Sequence, residues 1–168
     1  MLLVSSLALA TSAASANRIN FTYDCGSEKR AYEVQKKAKE NLAELNAAQK
    51  KIISTYAEEV AYQLVFLTTI GRPQDYKQFK ESFLACAKSM GDKLFKKEDL
   101  DNAIGVTRKW LGLPESGAPL SRAAARAKRE KMNQVRIDLA NQLSKALMNI
   151  NPQGSGSGTS DRTDAAIE

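Results

Sequence analysis

From Ser27 to Ile70 the chain runs without a single Gly or Pro, through Ala, Glu, Lys, Gln and Leu in high proportion. These residues lose little side-chain freedom in a helix, and nothing in the run interrupts the backbone hydrogen-bond ladder. Apolar residues recur at Val34, Ala38, Leu42, Leu45, Ala48, Ile52, Tyr56, Val60, Leu64 and Leu67, in steps of three and four. That spacing predicts one continuous helix with one apolar stripe, capped by Ser27 and stopped by Gly71 and Pro73. Such a helix would be roughly 65 Å long at 1.5 Å per residue. Gln35, Gln49 and Glu59 break a strict heptad, so the stripe favours a hairpin or bundle over a coiled coil.

Three further helices are expected. One starts at Pro73, a favoured first helical position. It reaches Met90 before Gly91, with Tyr76, Phe79, Phe83, Cys86, Ala87 and Met90 inward. A third spans Lys97 to Leu111, ahead of the Gly- and Pro-rich loop 112–120. The last runs from Ser121, a good N-cap, to Ile150, with Met132, Val135, Leu139, Leu143, Ala146, Leu147 and Ile150 on its apolar face. No run alternates as a strand would. The expected fold is all-α: an elongated antiparallel hairpin or bundle of about four helices over residues 17–150.

The termini read differently. Residues 1–16 are uncharged, with an apolar run too short to span a bilayer and a small-x-small pattern at Ala14-Ser15-Ala16. This predicts a signal peptide cleaved after Ala16. The lack of Lys or Arg before the run departs from that pattern and leaves a start upstream of Met1 open. Residues 151–168 carry a Gly/Ser repeat with little apolar content, the composition of a flexible tail. No other segment is apolar enough to cross a membrane. A periplasmic or secreted location makes an oxidised Cys25–Cys86 pair the expectation. A bridge closing a loop of that size is worth about 4 kcal/mol in the chain-entropy model.

Chemistry is constrained mainly by what is missing. The chain has no His, which removes Ser-His-Asp and Cys-His catalysis, His-ligated zinc and an imidazole switch. Two Cys cannot form a four-thiolate site, and the Gly residues form no phosphate cradle. Glu58 and Glu59 are neighbours on one helix, about 100° apart, so they make no paired-carboxylate site by themselves. Glu98, Asp99 and Asp101 suit the positive end of a helix dipole. No enzyme, metal or cofactor is expected. Asn20-Phe21-Thr22 matches a glycosylation acceptor, meaningful only in a host that glycosylates.

Charge is the remaining signal. The chain carries 25 Lys+Arg against 19 Asp+Glu, a net +6. Arg122, Arg126, Lys128, Arg129, Lys131 and Arg136 crowd into residues 121–136 against one acid, Glu130. At about 100° per residue Arg122, Arg126 and Arg129 share one side, with Lys131 on another. This is either a solvated face or a patch for an anionic partner: an acidic protein, a headgroup, a polysaccharide or nucleic acid. No aromatic is interleaved, which argues against single-strand stacking. The apolar stretch 61–70 is either buried on several sides or leaves a patch around Tyr62 and Phe66.

The pattern therefore suggests a binding or assembly module that is exported and non-enzymatic, engaging a protein partner, with specific nucleic-acid recognition not expected. Its texture is that of exported helical proteins, such as components of envelope, secretion or conjugation machines. Periplasmic holdase chaperones and helical surface receptors of eukaryotic parasites are the alternatives. No motif ties it to one of these groups.

Overall fold

In the computed structural model, residues 19–91, 94–114 and 118–149 are described. The expected signal peptide and Gly/Ser tail lie outside them. Among the described residues there are six helices: α1 Cys25–Glu40, α2 Ala47–Ile70, α3 Pro73–Met90, α4 Lys97–Leu111, α5 Arg122–Ala127 and α6 Arg129–Met148. The fold is all-α, and among the described residues no helix is long and apolar enough to cross a membrane.

The Gly-free run is two helices, not one. Leu42 takes a left-handed φ of 50° after α1. Ala43 N–H donates to Ala38 O (3.0 Å) and Leu42 N–H to Lys39 O (3.3 Å), the paired bonds of a Schellman stop. That motif usually uses Gly, so a Leu there is invisible to a Gly/Pro search. Downstream, Asn46 Oδ1 accepts from Gln49 N–H and Gln49 Oε1 accepts from Asn46 N–H, both at 2.9 Å, which starts α2 with a capping box. The break resets the helical phase: Leu42 is 70% exposed, and Ile53 rather than Ile52 enters the core. Ser27 is not the cap of α1 either. Asp24 caps it, accepting from Gly26 N–H (2.9 Å) and Ser27 N–H (3.2 Å).

The expected last helix is likewise divided. Lys128, at φ −95° and ψ 5°, interrupts it between α5 and α6. The kink lets α5 lean over the end of α2, where Leu120 N–H donates to Thr69 O at 2.7 Å. The expected helices from Pro73 and Lys97 stand with the boundaries read from the sequence.

α2 is the spine. It packs on α1, α4 and, most extensively, α6, which runs antiparallel to it. Its buried face, including Ile53, Tyr56, Val60 and Leu64, meets Phe79 and Phe83 of α3, Leu100 of α4 and Leu139 of α6. A smaller cluster of Val65, Leu111, Met132 and Val135 closes the C-terminal end of α2. Cys25 and Cys86 are joined, Cα atoms 5.3 Å apart, tying the first turn of α1 to α3.

Candidate functional site

Two features stand out from this frame, one sealed and one open. The sealed one surrounds Glu28, whose side chain is fully buried although it lies in the first turn of α1. Tyr23 donates its hydroxyl proton to Glu28 Oε2 (2.6 Å), and Tyr56 lies 2.5 Å from the Tyr23 oxygen as its donor. Leu94 and Phe95, between α3 and α4, aim their backbone N–H groups at Oε1 (3.0 and 3.4 Å). Burial pushes the Tyr23 hydroxyl far above its ordinary pKa, reinforced by Tyr56 and the Glu28 carboxylate. Burial also raises Tyr56, with Glu28 adding to it. Both phenols therefore stay protonated as donors. Phe79 and Phe83 pack edge-on to Tyr23, at 5.8 and 5.1 Å between ring centroids. This arrangement satisfies a buried charge and welds four chain segments together. Sequence reasoning missed it, because an acid in a helix's first turn is ordinarily a surface partner of the dipole.

The open feature lies along the outer seam of α2 and α6. Near the C-terminal end of α2 a cavity of about 600 Å³ has Phe66, Ile70, Leu120 and Met132 as its apolar floor. Arg122, Arg126 and Arg129 line the same cavity. None of the three is held in an ion pair among the described residues. The short α5 positions two of them: Ser121 Oγ accepts from Ala124 N–H (3.1 Å), and the Leu120–Thr69 bond fixes the start of α5 on α2.

The other basic residues go elsewhere. Lys128 donates to Leu111 O at the end of α4 (3.4 Å), neutralising a helix C-terminus. The Lys131 ammonium lies beside Gly112 at that same terminus. Arg136 lines a second cavity of about 430 Å³, one stage further along the seam, with Asp24, Glu58 and Glu59. The six basic residues are thus not one patch. Three form the groove, Lys128 bonds the end of α4 with Lys131 near it, and Arg136 stands among acids.

Tyr62, 40% exposed, lines this acidic cavity, while Phe66 lines the basic one. Their rings touch, 4.7 Å between centroids, so the two cavities meet at this pair. The rest of the stretch 61–70 is mostly buried: Ala61, Leu64, Val65, Leu67, Thr68 and Thr69. Asn20 is exposed at the rim of the acidic cavity, its Oδ1 accepting from Thr22 N–H at 3.0 Å. Among the described residues no group of three or more His, Cys, Asp or Glu side chains could hold a metal ion. Compared with known proteins, the chain matches no family model, no curated protein and no solved structure.

Proposed function

We propose that this protein is an exported, non-enzymatic helical binding module that engages an acidic, partly apolar surface of a partner protein. The observation that carries the reading is the groove at the end of α2. Three arginines with no ion pair among the described residues surround an apolar floor of Phe66, Ile70, Leu120 and Met132. Arginine and aromatic side chains around a desolvated centre are what binding hot spots are made of. The disulfide supports a periplasmic or extracellular setting, since such bridges persist where thiols oxidise. The leader-like residues 1–16 point the same way.

The test is site-specific photocrosslinking in the native envelope or secreted fraction. A crosslinker at Asn133, on the groove wall, should capture one stoichiometric partner; one at Lys88, exposed on α3, should not. Combined reversal of Arg122, Arg126 and Arg129 to Glu should abolish the Asn133 adduct. Capture of many unrelated clients from both positions would replace this reading with a holdase.

A further inference from the structure

The seam between α2 and α6 is electrically polar from end to end, which specifies its occupant more narrowly than an acidic surface. Along α2, Thr55, Glu59, Tyr62, Phe66 and Ile70 follow one another at successive turns, and all line one of the two cavities. Antiparallel α6 supplies Arg136 beside Tyr62, then Met132 and Asn133 beside Phe66, then Arg129. One end of this track carries Asp24, Glu58 and Glu59 against the single Arg136, a net acidic cavity; the other carries Arg122, Arg126 and Arg129 with no acid in its lining. The apolar middle is Tyr62, Phe66 and Met132.

We propose that the track receives an amphipathic helix of the partner protein, with its acidic end on the three arginines and its basic end on the three acids. This rests on the binding-module reading above and deepens it. Three observations select the occupant. First, two antiparallel helices with a cavity along their outer seam present the groove that a third bundle helix fills, ridge into groove. Second, the apolar anchors sit one helical turn apart, and no strand edge exists among the described residues for an extended peptide to join. Third, the charges segregate: an anionic membrane or a nucleic acid would meet repulsion at Asp24, Glu58 and Glu59, whereas a helix with charges divided between its ends meets attraction at both. The track from Thr55 to Ile70 rises roughly 23 Å, so it fits a helix of about 15 residues.

The experiment measures binding of the full disulfide-bonded chain to synthetic 16-residue helical peptides by fluorescence anisotropy at low salt. One peptide has acids in one half and bases in the other around an apolar stripe. A second has the same composition with its charges interleaved, and a third carries acids only. The segregated peptide should bind at least tenfold more tightly than either. Glu58→Lys with Glu59→Lys should remove that preference, and adding Arg126→Glu with Arg129→Glu should restore it, since the peptide can then lie the other way round. These side chains are exposed, and circular dichroism of each variant confirms that it folds. Equal binding of segregated and interleaved peptides, or tightest binding of the all-acidic one, overturns the polar track while leaving the basic groove as a binding site. Tighter binding to anionic phospholipid vesicles than to any peptide overturns the choice of a protein helix. If no peptide binds, the inference falls; an Asn133 crosslink to a partner then shows that the binding module stands without it, and no crosslink removes both.

Discussion

At one end of the bundle a carboxylate is buried beneath aromatic rings with its acceptor sites occupied; at the other, three guanidinium groups stand at the surface with no acid paired to them among the described residues. The first region joins segments far apart in sequence: Tyr23, Glu28, Tyr56, the 94–95 connection and, through the disulfide, α3. The second also joins distant segments, the C-terminal end of α2 with α5 and the first turn of α6, but it leaves its charged groups at the surface. The difference teaches where rigidity and recognition are placed. A buried charge is tolerable only when every partner is fixed, so that end has little freedom to change. Exposed arginines add almost nothing to folding, and their unbalanced charge is available to a partner.

If that division is right, perturbing each end should give opposite results. Cys25 and Cys86 close a loop with a sequence separation of 61. Removing that bridge with Cys25→Ser and Cys86→Ala should have the largest effect on stability, about 4 kcal/mol. Guanidinium unfolding would show it as a lower midpoint. Glu28→Ala should follow at roughly 3 kcal/mol, because it leaves the buried donors of Tyr23 and Phe95 and the half-buried N–H of Leu94 without their acceptor. The two losses should not add, since Cys86 Sγ lies 3.4 Å from Glu28 Oε2, and the double-mutant cycle measures that coupling. A loss below about 0.5 kcal/mol for Glu28→Ala, the range of an ordinary surface substitution, would remove the contrast between the ends.

Alkaline pH probes the same sealed end more gently. The pKa values of Tyr23 and Tyr56 are raised on folding, so the folded chain keeps protons that the unfolded chain releases above about pH 10. Their stabilisation is therefore intact below pH 10 and lost as pH rises above it, by about 1.4 kcal/mol per pH unit for each tyrosine. Tyrosinate absorbance should show these two phenols ionising only together with the loss of helical circular dichroism. Ionisation of all five tyrosines with the helix signal intact would contradict a sealed Glu28 site.

The smallest effect on folding belongs to the open end. Combined Arg122→Glu, Arg126→Glu and Arg129→Glu should change stability by no more than about 0.5 kcal/mol, measured by thermal unfolding, while partner capture is lost. A large destabilisation would mean that these arginines serve the fold and not a partner.

Much of the architecture is legible in the sequence. The starts of α3 and α4 follow from Pro73 and from the Lys96–Lys97 approach to acids in the first turn, and their ends from Gly91 and Gly112, both at positive φ. The disulfide follows from an even pair in a chain with a leader-like start. The division of the first long helix is only half legible. Asn46 and Gln49 have the spacing of a capping box, but the stop before them uses Leu42 in a conformation that Leu enters only when the surrounding structure supports it. At the candidate site, helical spacing and composition single out Arg122, Arg126, Arg129 and Phe66. They do not bring them into one cavity, since the kink at Lys128 and the Leu120–Thr69 bond that join them leave no local signature.

The sequence by itself determined that this protein is helical, where α3 and α4 begin and end, which cysteines pair and which segment is basic. Those properties follow from interactions a few residues in range: propensity, caps and periodicity. Tertiary structure alone decided that Glu28 is buried rather than solvated and that Lys128 bonds the end of α4. It also decided that Arg136 stands among acids while three other arginines share a groove. Each of these depends on what another helix places opposite the side chain, and the environment of a charge is set by neighbours in space.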